Sequence, residues 1–112
     1  MPDFGLPRHC RITGQHDFTR IFAEGKRIRF KGGYVICTPS MGAHARVAVI
    51  ISKKVCKQAV GRNRMRRLHK ECFRTCDKMP AVDVVVVCHK VATHDEVVQQ
   101  WQNLRPFLQD FA

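Results

Sequence analysis

Acidic side chains are scarce in this sequence. Nine of the 112 residues are Asp or Glu against twenty Lys or Arg, so the formal net charge is +11. The nine are dispersed, and only Asp95-Glu96 stand together, in what reads as a helix cap. Converging carboxylates for metal-assisted or general acid–base hydrolysis are missing, which argues against a nuclease acting alone. No C-x-x-C pair occurs among the six cysteines, which removes the zinc-ribbon and thioredoxin-type motifs. No phosphate loop is present: Gly25-Lys26 runs straight into Arg27, without the earlier glycine. The six histidines are scattered, and the sequence implies no nucleophile partner for them. No apolar run reaches the roughly 18 residues that cross a bilayer, and the first 15 residues hold no apolar export core. The expectation is a cytoplasmic protein with reduced thiols and no membrane partner.

What remains is a globular balance, 45% hydrophobic and 26% charged. The length suits one domain over residues 1–112, with Pro2, Gly5 and Pro7 making residues 1–12 an irregular arm. The positive charge is concentrated. Residues 53–78 carry ten basic and two acidic side chains, whereas residues 79–112 carry two basic and four acidic. Such a block, beside an acidic C-terminal third, reads as a binding face for a polyanion.

Periodicity predicts the elements. Thr13 is placed to cap a helix over 14–24, with Phe18, Ile21 and Phe22 as its apolar face and Gly25 as its stop. Residues 27–30 and 34–38 read as strands, and 46–52 as a Val/Ile-rich central strand. A helix follows over about 59–76. Its stripe is Gly61, Met65, Leu68 and Cys72, with Val60 at the edge. Residues 83–88 form another buried strand, so strand, helix and strand make a crossover unit with two parallel strands. Thr93 to Glu96 is a capping box. Val97, Trp101, Leu104, Leu108 and Phe111 then mark a closing helix, which Pro106 is expected to kink or end near Arg105.

Two constellations carry chemistry. In the first, Arg62, Asn63, Arg66, Arg67, Lys70 and Arg74 crowd one arc of the 59–76 helix. Arg62–Arg66, Arg66–Lys70 and Lys70–Arg74 are like-charged i,i+4 pairs, each costing an isolated helix roughly 0.2–0.5 kcal/mol. Only Glu71 offers relief, by pairing with Arg67. Phosphates would remove the repulsion, and guanidinium forks suit them. Lys53, Lys54 and Lys57 extend the positive surface. The second constellation is aromatic. Phe18, Phe22, Phe30 and Tyr34 lie among Arg20, Lys26, Arg27, Arg29 and Lys31, the pattern of single-stranded RNA binding. His69, Cys72 and Cys76 share a helical face but lack a fourth ligand, so no metal site is assigned. Cys37 and Cys88 read as small core hydrophobes.

The stretch Ser52-Lys53-Lys54-Val55, then Ala59-Val60-Gly61-Arg62-Asn63-Arg64-Met65-Arg66-Arg67-Leu68 and Lys70-Glu71-Cys72-Phe73-Arg74, resembles the signature of the protein component of bacterial ribonuclease P. Asp17-Phe18-Thr19-Arg20-Ile21-Phe22 with Gly25-Lys26 is similar to that family's first helix. The resemblance implies an α+β fold, with a four-stranded sheet, three helices and a left-handed strand–basic helix–strand crossover. It implies a large RNA subunit that, with Mg2+, performs the cleavage and releases the 5′ leader of precursor tRNA. No residue of the protein is then catalytic. Carried over by position, Arg62, Asn63, Arg64, Arg66, Arg67, Lys70 and Arg74 are expected to face the RNA subunit. Phe18, Phe22, Tyr34, Lys53, Lys54 and Lys90 are expected to line or flank a cleft for the single-stranded leader. The RNA subunit and precursor tRNA are the expected partners. Cys37 stands where an aromatic cleft residue is common, and His89 precedes Lys90 where Arg is common. The residues alone leave two rivals open. One is a non-enzymatic ribosomal or assembly protein. The other is a DNA-binding regulator, for which no helix-turn-helix partner is visible and DNA is not expected.

Overall fold

The computed structural model describes residues 12, 14–40, 42, 44–76 and 80–110. The irregular arm (apart from Ile12), the Thr13 cap and the Phe111 contact expected from the sequence lie outside them. The elements in chain order are α1 (Gln15–Glu24), β1 (Lys26–Phe30), β2 (Gly33–Pro39), β3 (Arg46–Ile51), α2 (Ala59–Arg74), β4 (Val82–Cys88) and α3 (His94–Gln109). The N-cap position of α1 is Gly14, with no side-chain cap bond. The α+β architecture of four strands and three helices is as the sequence implied.

The sheet order is β1-β2-β4-β3, antiparallel except for the parallel pair β3 and β4. The parallel pair was legible, but its place was not. β3 is an edge strand, because β4 inserts between it and β2. Its Val/Ile run is nonetheless continuous because both faces are covered. Val47, Val49 and Ile51 join the core under α2 and α3, while Ala48 and Ile50 lie in the cluster beneath α1. The backbone N–H of Ile12 donates to the Val47 carbonyl at 3.2 Å.

The two faces follow strand alternation. On one face Val35, Cys37, Val84, Val86 and Cys88 meet Met65 and Phe73 of α2 and Val97, Trp101, Leu104 and Leu108 of α3. On the other, Ile36, Val85 and Ala48 are sealed by Ile21 of α1, with Ile12 beside them. The stripe of α2 is rotated from the expected one. Met65, His69 and Phe73 are its buried residues, whereas Gly61, Leu68 and Cys72 flank them half-buried. A Cβ on Gly61 would stand 2.5 Å from the Cys56 sulfur, which explains a glycine in the first turn of a helix.

Helix α3 begins with the expected capping box. The Glu96 N–H donates to Thr93 Oγ1 at 3.2 Å, and the Thr93 N–H donates to Glu96 Oε1 at 2.9 Å. These bonds, first the one from the Thr93 backbone, hold the Glu96 carboxyl below its ordinary range. The helix does not end at Arg105. It runs through Pro106 to Gln109. Pro106 and Gln102 are exposed, so the carbonyl that loses its i→i−4 partner faces water, and Leu104 and Leu108 keep their buried seats.

Candidate nucleic-acid interface

The topology gathers positive charge at one end of the sheet. β1, β3 and β4 finish there and β2 begins there, as the registers Phe30↔Gly33, Gly33↔Cys88 and Ile51↔Cys88 require. The loop after β3 carries exposed Lys53, Lys54 and Lys57 and delivers the first turn of α2. His89 and Lys90 leave β4 at the same end. That first turn has no acidic residue, and its N-cap, Gln58, makes no side-chain bond, so the positive pole of the helix dipole is not offset locally.

The residues expected to face the RNA subunit fall into two groups. Asn63, Arg64, Arg67 and Arg74 are exposed; Arg62, Arg66 and Lys70 are half-buried. Arg62 falls on the inward side of α2 and braces the preceding loop. Its Nη1 donates to the carbonyls of Cys56 at 2.8 Å and Lys57 at 2.9 Å. Arg66 Nη1 donates to Asn63 Oδ1 at 3.3 Å, leaving the Asn63 amide N–H groups outward. Glu71 pairs with Arg74, one turn ahead. The arginine face of α2 is not folded into the protein's own core.

Of the four aromatic residues grouped from the sequence, Phe18, Phe22 and Tyr34 lie on the opposite face, whereas strand alternation turns Phe30 to the α2–α3 side. Arg29, Tyr34, Val87 and Ile50 are in register across all four strands, and Tyr34, Val87 and Ile50 are half-buried. Phe18 and Phe22, also half-buried, pack from α1 against the same cluster. Arg27 lies with its guanidinium 5.2 Å from the Tyr34 ring centroid. His89 meets the edge of that ring at 5.4 Å. Lys53 and Lys54 share this end of the sheet, and Tyr34 and Lys90 line one hollow together. Cys37 does not stand in the cleft at all. Alternation turns it to the α2–α3 face, where burial pushes its thiol up to about 12. Ile36 takes the cleft-side position and is sealed under α1.

Two networks escaped the sequence reading. Asp83, fully buried, accepts from Arg46 Nε at 2.8 Å and Nη2 at 2.7 Å, and from Arg20 Nη2 at 2.6 Å. Arg46 also donates to Asp17 at 3.1 Å, and that bond holds the Asp17 carboxyl below its ordinary value. These four side chains fasten α1 to the far end of the sheet, so Arg20 and Arg46 are structural cations. The readable signal was one Asp inside an apolar strand, which demands a buried partner. In the second network, Trp101 Nε1 donates to His69 Nδ1 at 3.0 Å, and His69 Nε2 lies 3.6 Å from Cys88 Sγ. An indole nitrogen only donates, so the His69 proton sits on Nε2 and points at the sulfur. Burial pushes the His69 pKa down to about 4. His69 thus belongs to the core rather than to a site with Cys72 and Cys76. Among the described residues no three His, Cys, Asp or Glu side chains gather as a metal cage.

A family model described as Ribonuclease P matches residues 6–112. The ribonuclease P protein component of Chromohalobacter salexigens is 32% identical over 113 residues, spanning 93% of this chain and 88% of that protein. That of Thioalkalivibrio sulfidiphilus is 33% identical over 104 residues, spanning 92% and 82%. The Staphylococcus aureus RNase P protein superposes with a TM-score of 0.79 at 24% identity, over 92% of this chain and 98% of that one. The Thermotoga maritima protein gives 0.70 at 23%, over 89% and 96%. The structures show the common fold, and the family match and the close relatives show the lineage. The chain belongs to the ribonuclease P protein family, the protein component of the tRNA-processing ribonucleoprotein.

Proposed function

We propose that this chain works as one RNA-binding unit with two surfaces, one docked on the ribonuclease P RNA and one holding the single-stranded 5′ leader of precursor tRNA. The observation that carries the reading is the common end of the sheet, where the first turn of α2, Lys53, Lys54, Tyr34 and Lys90 come together from opposite faces. Asn63, Arg64, Arg66, Arg67, Lys70 and Arg74 present their cations to the ribozyme, and Arg62 holds the loop that carries Lys53 and Lys54. Phe18, Phe22 and Tyr34 offer ring faces and edges to unpaired leader bases, and Lys53, Lys54 and Lys90 neutralise the leader's phosphates. Phosphodiester hydrolysis is assigned to the RNA subunit, with no catalytic residue in the protein. The described side chains do not fit a magnesium cage, so Mg2+ is assigned to the RNA side and no step is routed through this protein's carboxylates. The cytoplasm, where precursor tRNA is made, is the working compartment.

The test adds the protein to the matching catalytic RNA and precursor tRNA at low magnesium. The expected result is faster 5′ cleavage and tighter substrate binding than with RNA alone, and Phe18→Ala weakens only substrates that carry a leader. No gain in cleavage removes the proposal. An equal effect of Phe18→Ala with and without a leader removes the cleft assignment alone.

A further inference from the structure

The proposed leader surface leaves β1 unexplained. Ile28 and Phe30 pack on the α2–α3 side, so alternation turns Arg27 and Arg29 to the α1 side, beside Ile36 and Tyr34. With Phe30, the Gly32-Gly33 turn, Tyr34, His89 and Lys90 they line a hollow of about 460 Å³. No carboxylate lines it, and among the described residues Arg27, Arg29 and Lys90 have no acidic partner within ion-pair distance. This contrasts with Arg20 and Arg46, which Asp17 and Asp83 neutralise. The hollow is also built in advance. The His89 N–H donates to the Gly32 carbonyl at 2.7 Å, tying the hairpin to the exit of β4. Gly32 has φ +101°, and a Cβ there would stand 3.1 Å from Lys90 Cγ, so the glycine lets the lysine stem lie against the turn. Arg27 covers one face of Tyr34, so on that side a guanidinium adds a stacking plane to the phenol ring.

We infer that this hollow is a separate phosphate site for RNA, taking a leader nucleotide beyond those held by Phe18 and Phe22, with Arg29 and Lys90 on the phosphate and Arg27 beneath the base. The inference rests on the reading of the α1 face as the leader surface. Its ligand is an RNA phosphate, either an internal phosphodiester or the terminal phosphate of a short leader.

The experiment uses the reconstituted ribonucleoprotein. Precursor tRNA affinity is read from the concentration dependence of single-turnover cleavage, for leaders of graded length and for leaderless tRNA, at two salt concentrations. Arg27→Ala/Arg29→Ala is expected to weaken long-leader substrates about tenfold, to flatten their salt dependence by about one unit of log–log slope, since Arg29 alone of the two contacts the phosphate, and to leave leaderless tRNA unchanged. Both residues are exposed, and a melting curve checks that the variant folds. Arg27→Lys is expected to keep the salt slope yet lose affinity, because ammonium does not stack. Leaders with and without a 5′ phosphate separate the sources: a phosphate-dependent gain at one leader length marks a terminal phosphate, and indifference marks an internal one. Equal weakening at every length, or none, overturns the inference. Phe18→Ala on the same substrates separates the two readings. If it too is indifferent to the leader, the underlying leader assignment has failed; if it alone is leader-dependent, only the β1 site has.

Discussion

The buried His69 predicts an acid-sensitive fold. Its ring accepts from Trp101 at Nδ1 and directs Nε2–H at Cys88, so a second proton would sit on Nδ1 and face the indole donor. Burial pushes its folded pKa down to about 4, against an unperturbed value of 6.5. The unfolded chain therefore takes up the proton first as the pH falls. Stability from the neutral ring is complete above about pH 6.5 and is lost progressively down to about pH 4. The full difference is worth about 3 kcal/mol, of which about 2 kcal/mol disappears between pH 7 and pH 5. The assay is urea unfolding at several pH values in that window. The fluorescence of Trp101, the sole tryptophan and 4% exposed, reports the core directly. His69→Gln keeps an acceptor and a donor but does not titrate. Its baseline stability is lower, but its curve is expected to stay flat where the wild type falls. Parallel curves for the two proteins would refute the neutral buried histidine. The other five histidines are common to both proteins, so whatever they contribute cancels in the comparison.

Three further outcomes follow from the geometry. Asp83→Asn removes the buried carboxylate that two guanidinium groups share and leaves them Asp17 alone; it is expected to cost about 2–4 kcal/mol, since both arginines keep some solvent contact, and to loosen leader binding more than binding of the RNA subunit, as equilibrium unfolding and leader-length assays will show. Gly61→Ala alone is expected to miss the roughly 1 kcal/mol that helix propensity offers, because its Cβ meets Cys56; Cys56→Ala/Gly61→Ala recovers it, and thermal melts of the pair measure the coupling. Arg64→Ala, at an exposed position of α2, is expected to weaken binding to the RNA subunit and flatten its log–log salt slope by about one unit, measured by titration at several ionic strengths.

Local signals carried most of the fold. The alternation of β2 and β4, the basic helix and the Thr93–Glu96 box are written in short windows, and the structure repeats them nearly residue for residue. What failed were statements about neighbours. A Val/Ile run reports burial on two faces and says nothing of which strand lies beside it, so β3 was placed centrally though it forms an edge. A polar residue on an apolar arc is invisible to hydrophobic periodicity, so spacing alone groups His69 with Cys72, whereas its partner is Trp101. Pro106 was judged by the bond it removes, not by whether water replaces that bond. Of the candidate site, the cations of α2 were legible because their crowding is a sequence property. The partners of Arg20, Arg46 and Arg62 are tertiary, and nothing within their windows distinguished a brace from a free hand.

The Asp83 cluster makes the molecule electrically lopsided along its strands. Two of its guanidiniums are balanced internally at the end of the sheet where α1 is fastened, so a titration that counts ions displaced by RNA will fall short of a count of Lys and Arg. Lys53, Lys54, Lys57 and Lys90 lie exposed at the other end of the strands, so an approaching polyanion is drawn more strongly there than to the Asp83 end.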